Sequence, residues 1–192
     1  SECRLGAAFG EGALHHIGTK GRTRPWANPA EAGEVACTAS KMHSSGGYKA
    51  TALAARPSEK ARGLTADSPR GRLQVDLRAK RRLAPSHYAL ANAHNGDCAF
   101  ALRSWELQGS DSPTGPWTTL KAHSGDASMA ATKAAEASWA LPASLGPFRA
   151  FRLQMTGPNA YGAGDSYHHI MSGGMEFLPR NGLIEILRLA TC

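Results

Sequence analysis

No apolar run in this 192-residue chain approaches the roughly 18 residues that a membrane-crossing helix needs, which excludes an integral membrane protein of that kind. Charged residues are scarce at 19% and hydrophobic ones modest at 42%; small residues, with 21 Gly, 11 Pro and abundant Ala, make up the difference and point to a turn-rich fold. The four cysteines (Cys3, Cys37, Cys98 and Cys192) form no CxxC pair and no zinc spacing. N-x-S/T sequons are absent too, so reduced thiols in an intracellular, cytoplasmic protein are expected, with a Cys3–Cys192 clasp as the alternative. The chain opens SECRLGAAFGEG, without Met, a basic stretch or an apolar stretch, so it carries no recognisable signal peptide and reads as a piece of something longer.

Catalytic and nucleotide-binding signatures are missing as well. Gly10-Glu11-Gly12 lacks the third glycine of a dinucleotide loop, and no glycine-rich run precedes a Lys-Ser/Thr pair as a phosphate-binding loop requires. Neither a Gly-x-Ser-x-Gly elbow nor an HExxH motif occurs. Eight histidines include the adjacent pairs His15-His16 and His168-His169. Neighbours on a strand point to opposite faces, so neither pair is a bidentate ligand set. Asp111 and Asp126 lie in expected loops and could help hold a calcium ion, but calcium takes about six or more oxygens and carboxylates are few. The expectation is no catalytic residue, no metal site and no cofactor.

What is present is the rhythm of short strands. Leu73-Gln74-Val75-Asp76-Leu77 alternates apolar and polar residues, as do Phe151-Arg152-Leu153-Gln154-Met155 and Trp105-Glu106-Leu107. Further candidates are Val35–Ser40, His87–Ala91, Trp117–Leu120, Ser138–Leu141 and Ile170–Phe177. Turn clusters separate them: Asn28-Pro29, Ser45-Gly46-Gly47, Asn95-Gly96-Asp97, Ser112 to Pro116, and Gly157-Pro158-Asn159. The pattern predicts an all-β antiparallel sandwich or barrel. Ala50–Lys60 reads as a short helix or an edge loop, and Ala127–Ala137 as a loop with at most one helical turn. Leu183–Leu189 is a final strand or an amphipathic helix; periodicity does not decide. Trp105, Phe151 and Phe177 are expected in the core.

The net charge is +7, and nine Lys/Arg against three Asp/Glu fall between Arg56 and Arg82. Such a patch suits nucleic acid, anionic lipid or an acidic partner, or is simply a solvated loop. Trp26 and Tyr161 lie within turn chemistry, where aromatics serve recognition surfaces; for Trp26 the alternative is a plug at one end of the sandwich.

The ordered motifs, taken together, resemble a family. Pro85 to Leu90, Leu102 to Ser110, Trp117 to Asp126, Ser138 to Leu141, Phe148 to Asn159 and Ser172 to Phe177 look like the middle and end of a discoidin-like domain. Ile17-Gly18-Thr19, Trp26 to Pro29, Gly33 to Val35 and Asp67–Leu77 are similar to its opening. The resemblance spans residues 9–178, leaving 1–8 and 179–192 as extensions, and is strongest to the intracellular branch found in BTB-domain adaptors and HECT-type ubiquitin ligases. It implies a galactose-binding-like jelly roll of two antiparallel sheets. Secreted relatives bind glycans or phospholipid head groups through loops at one end, whereas intracellular relatives mostly bind proteins. This chain lacks hydrophobic membrane spikes and a cysteine pair at the domain edges, and it carries extra charge at Arg78, Lys80, Arg81 and Arg82. The expected function is therefore a non-catalytic module for protein recognition, possessed by a larger ligase or adaptor, with glycan or anionic phospholipid binding as the alternative and nucleic acid last. The expected contact residues, chosen by loop position, are Trp26, Asn28, Arg70, His87, Asn159 and Tyr161, with the Arg78–Arg82 cluster setting the rate of encounter.

Overall fold

The computed structural model describes residues 9–44, 46–93, 100–161 and 167–180. Its described elements include the short helix α1 (Ala13–Gly18) and ten strands: β1 (Ala36–Ala39), β2 (Gly63–Leu64), β3 (Arg72–Asp76), β4 (Pro85–Ala91), β5 (Trp105–Ser110), β6 (Thr118–His123), β7 (Glu136–Ala140), β8 (Ala150–Met155), β9 (Met171–Ser172) and β10 (Gly174–Pro179). Two 3-10 turns, Ala50–Ala54 and Pro57–Glu59, precede β2. Every strand pairing is antiparallel. A five-stranded sheet in the order β1-β3-β8-β5-β6 packs on a three-stranded sheet β10-β4-β7, and β2-β9 form a small third ribbon. This is the expected all-β sandwich, a jelly roll of the galactose-binding type.

The alternation read from the sequence decides which faces meet. Leu73, Leu153 and Leu107 lie in one register across β3, β8 and β5, and all three are fully buried. Across the other sheet, Phe177, Tyr88 and Trp139 form the opposing rung. Trp105, Phe151 and Phe177 sit in the core as expected. Each large apolar side chain enclosed in this way contributes roughly 1.5–3 kcal/mol. The intervening Gln108, Arg152 and Gln154 lie on the other face of the sheet, as period 2 requires, and so does Gln74, which is buried there with its amide donating to Pro113 O at 2.9 Å.

Two features depart from the strand reading. Ala13, Leu14, Ile17 and Gly18 are buried along one side of α1, which packs on β10. The segment expected as one strand over Ile170–Phe177 is two, because β9 pairs with β2 and β10 with β4; the chain changes partner at Gly173, where an added Cβ would lie 2.2 Å from the Asn92 carbonyl oxygen and only glycine fits. Ala127–Ala137 is a loop, as expected, until β7 begins at Glu136. Cys37 is a free thiol. Cys3, Cys98, Cys192, the Asn95–Asp97 turn and the Leu183–Leu189 tail lie outside the described residues.

Two buried polar arrangements tie the sandwich together. The Glu176 carboxyl, fully enclosed beneath α1, accepts hydrogen bonds from the backbone N–H groups of Leu14 (2.7 Å), His15 (2.8 Å) and Phe177 (2.9 Å). Burial pushes this carboxyl up to about 8, while those three donors and the charge of Arg56 pull the other way. Between the sheets, Trp105 Nε1 donates to the Tyr88 hydroxyl (3.2 Å), which lies 2.6 Å from His123 Nε2, and His123 Nδ1 lies 2.6 Å from Asp126. Trp139 Nε1 also donates to that carboxylate, at 3.0 Å. A neutral His123 satisfies every member: its Nδ1–H donates to Asp126 and its Nε2 accepts from Tyr88. Burial accordingly lowers the His123 pKa, against the opposing pull of Asp126.

Candidate recognition surface

Strand register divides the loops between two ends. β3 begins, β8 ends and β5 begins at one end, so the described segments 40–44, 46–49, 62–71, 100–104, 156–161 and 167–169 gather there. The turns 77–84, 111–117 and 141–149 gather at the other. The six expected contact residues and the basic cluster do not share one end.

At the turn end, the charges are largely spent on one another. Arg81 pairs with Glu34 at 2.7 Å, and Arg82 with Asp111 at 3.3 Å. Arg149 clamps Asp76 through two 2.7 Å hydrogen bonds. Burial alone would raise the Asp76 pKa, but the Arg149 hydrogen bonds and the Arg78 backbone N–H outweigh it and hold the carboxyl below its usual range. Arg78 and Lys80 remain exposed. His87 also lies toward this end, opposite Ala140 on β7, with its ring against Ser86 Oγ at 3.1 Å. Asp111 and Asp126 belong to different ends and different partners, so they share no cation site, and no cluster of three metal-ligating side chains occurs among the described residues.

The loop end carries a row of rings. Tyr161, exposed at 45%, stacks on Phe100 at 5.2 Å between centroids and against Tyr167 at 4.4 Å. Phe100 meets His169 edge-on at 5.0 Å; His169 lies 5.7 Å from His43, and His43 5.8 Å from Tyr48. The guanidinium of Arg62 covers the Tyr48 ring at 5.2 Å. Arg62 then forms one wall of a cavity of about 320 Å³, lined also by Asn28, Lys49, Thr51, Glu59 and Lys60. Arg70 is exposed on the neighbouring loop, whose Asp67 accepts from His168 N at 2.7 Å.

Asn159 and Asn28 belong to this end but as supports. Asn159 is buried; its amide donates to His169 O (3.2 Å) and its oxygen accepts from Tyr161 N (3.1 Å), which fixes the loop that presents Tyr161. Asn28 braces the cavity wall, donating to Thr51 O at 3.1 Å and accepting from Ala30 N at 2.9 Å. Trp26 stacks flat on His15 at 5.6 Å, takes the Arg56 guanidinium on its ring at 4.7 Å and donates from Nε1 to Glu59 at 2.9 Å. Its large ring is thus a fastener between α1 and the 3-10 turns. The sequence gives no signal that His43, Tyr48, Phe100, Tyr167 and His169 meet: they are scattered from 43 to 169, and the His168-His169 pair stands out only as adjacent histidines.

The order acid, imidazole, hydroxyl in Asp126, His123 and Tyr88 has the form of a catalytic relay. Tyr88 and His123 are sealed between Trp105 and Trp139 in the core, however, and have no access to a substrate.

Sheet order, register and a ligand-sized cavity among end loops define a galactose-binding-like sandwich, and comparison with known proteins agrees. No protein-family model matches the chain. It is 32% identical over 174 residues to the E3 ubiquitin-protein ligase Ufd4 of Drosophila melanogaster and 36% identical over 160 residues to a BTB/POZ domain-containing protein of Arabidopsis thaliana. Those matches take in 88% and 78% of the chain but only 6% and 18% of the two proteins. In structure it superposes on a family 32 carbohydrate-binding module of C. perfringens NanJ, solved with galactose, with a TM-score of 0.55 and 12% identity over 76% of this chain and 93% of that one. The lectin domain of lectinolysin, solved with Lewis B antigen, gives 0.52 and 14% over 75% and 92%. The chain is a discoidin-like domain in its fold. Among the described residues, no helix is long and apolar enough to cross a membrane.

Proposed function

We propose that this chain is a non-catalytic module that recognises a protein partner through the loop end, and that it serves as the docking part of a larger ubiquitin ligase or adaptor. The observation that carries this reading is the presentation of Tyr161. It is the one large hydrophobic side chain left exposed among the described residues, and Phe100 and Tyr167 hold its ring from two sides. An aromatic held in this way, at one end of a row of rings that runs through Phe100, His169 and His43 to the Arg62–Tyr48 pair, has the composition of a protein-binding hot spot, where little conformational entropy is lost on contact. The relatives of more than 30% identity, named as a ubiquitin ligase and a BTB protein, are the support for the larger context.

Glycan binding is the second reading. The polar cavity beside a ring platform suits a sugar, and the superposed modules were solved with galactose and Lewis B antigen. Replacing Tyr161, and separately Lys80 at the turn end, with a photo-crosslinking phenylalanine derivative tests both readings in cell extract. The protein reading expects discrete protein adducts from position 161 and none from position 80. A saccharide array bound by the wild type and lost in Tyr161→Ala, with no adduct at position 161, replaces it with the glycan reading.

A further inference from the structure

We infer that the joint between α1 and the 3-10 turn Pro57–Glu59 is an acid-sensitive latch, closed while the His15 ring is neutral and released when that ring takes up a proton. The inference concerns how part of the cavity lining is held, and it stands whichever partner the loop end takes. Three side chains close on one another at the joint. Arg56 Nη2 lies 2.7 Å from His15 Nδ1, the Arg56 guanidinium covers the Trp26 ring at 4.7 Å, and Trp26 stacks on His15 at 5.6 Å with the rings 4° from parallel. A guanidinium can only donate, so the short contact requires a lone pair on His15 Nδ1 and hence the neutral ring. Protonation removes the acceptor and sets two cations against each other.

The charged groups around His15 come from each element at the joint. Burial first, then the charges of Arg56, Arg22 and His16, hold the ring below its ordinary value of 6.5, against the pull of Glu11. Glu59 accepts from Trp26 Nε1 at 2.9 Å and from the Arg56 backbone N–H at 2.7 Å. Glu176, beneath α1, is raised to about 8 by burial and so is mostly uncharged at neutral pH. Because the His15 value is depressed in the fold, the latch is fully closed above pH 6.5 and opens as pH falls through the lowered value. The attachment of α1 to β10 answers differently to acid. Glu176 accepts from the Leu14 N–H at 2.7 Å and the His15 N–H at 2.8 Å, and its carboxyl keeps acceptor capacity when protonated. Acid therefore frees the turn from the helix and leaves the helix on the sheet. Ala55, Glu59, Lys60 and Ala61, on either side of the latch residue Arg56 and its turn, line the cavity, so release loosens that part of its lining.

Hydrogen exchange of backbone and indole N–H groups in the whole chain, each rate divided by that of the unstructured chain at the same pH, tests this directly. Trp26→Phe identifies the Trp26 indole signal. In the wild type, protection of the Trp26 indole N–H and of the Arg56 and Glu59 backbone N–H groups should fall roughly tenfold or more as pH drops from 6.5 to below the midpoint of the His15 ring, read from its own NMR signal. The Leu14 and His15 N–H groups, held by Glu176, should lose far less. His15→Asn keeps an acceptor near the Nδ1 position but does not titrate, so it should hold the turn across the whole range; His16→Asn should leave the wild-type response in place. Thermal unfolding of both variants checks that the sandwich is intact, and the wild-type comparison of ring titration with turn protection decides the matter without them. Turn protection unchanged while the His15 ring titrates, the same fall in His15→Asn, or an equal loss at Leu14 overturns the latch.

Discussion

The guanidinium of Arg62 lies 5.2 Å above the ring of Tyr48, and this contact joins the polar cavity to the row of rings. Neither half alone is more than an ordinary surface feature: a shallow polar pocket in one case, a cluster of loop aromatics in the other. Joined, they make a continuous surface on which charge and apolar contact are displayed side by side.

Tyr161→Ala should weaken partner binding by about ten- to a hundredfold, the usual range for an exposed aromatic anchor. Because nearly half of the side chain is solvent-exposed, folding stability should shift by less than about 0.5 kcal/mol. Binding and thermal denaturation measured on the same preparation separate the two effects.

The buried chain from Trp105 through Tyr88 and His123 to Asp126 predicts sensitivity to acid. The His123 pKa is lowered in the fold by burial, so its contribution is fully present above the unfolded value of 6.5 and is lost as pH falls through the lowered value. Asp126 adds to this. Burial raises its pKa, but the Ser128 side-chain and backbone hydrogen bonds and then His123 outweigh burial and bring it down to about 2. Its share is lost between pH 3.8 and about 2. Denaturant unfolding across pH should show stability falling below pH 6.5, and His123→Gln should flatten the upper part of that fall. Tyr88→Phe should cost roughly 1–3 kcal/mol by leaving Trp105 Nε1 and His123 unpartnered.

Glu176 predicts the opposite slope. Its carboxyl is raised from 4.5 to about 8 by burial, so its contribution is present below pH 4.5 and is lost as pH rises through about 8. Glu176→Gln should remove this alkaline slope. It should also lower stability somewhat at neutral pH, since its amide would present donors to the His15 N–H. Glu176→Ala leaves the Leu14, His15 and Phe177 N–H groups unsatisfied and should cost at least 2 kcal/mol, with amide exchange in α1 accelerated.

Gly173→Ala should destabilise the domain by roughly 2–4 kcal/mol, because the new Cβ would fall 2.2 Å from the Asn92 carbonyl and 2.9 Å from its carbon, and backbone cannot yield as a side-chain tip can. Gly33→Ala is the comparison: it meets nothing within 4 Å and is strained only by its positive φ of 74°, so a smaller loss, near 1 kcal/mol, is expected. Equilibrium unfolding of the two variants measures the difference.

The sandwich is legible because apolar residues recur at every second position of its core strands: Leu73, Val75, Leu107, Leu153 and Met155 are buried, while Glu106, Gln108, Arg152 and Gln154 beside them are only half-buried. Helix α1 escaped that reading even though Ala13, Leu14, Ile17 and Gly18 follow helical spacing, because six residues are too few to stand out. Of the proposed site, the sequence shows only loop membership. Tyr161 and Arg70, expected as loop residues, are exposed at the loop end. Asn28, Asn159 and Trp26 satisfy the same loop criterion but hold loops in place, a distinction set by burial and not by residue type. The ring row draws on residues from His43 to His169, and only the folded register brings them together.

The central claim, that recognition belongs to the loop end and not to the basic turn, is tested most directly by comparing two double variants in one quantitative capture experiment. Arg62→Ala/Tyr161→Ala removes the loop-end contacts, and Arg78→Glu/Lys80→Glu reverses the two exposed turn cations that hold no carboxylate. The account predicts that the first loses the proteins captured by the wild type and the second keeps them at moderate salt. Loss from the second variant with retention by the first would contradict it and would move the recognition surface to the opposite end of the sandwich.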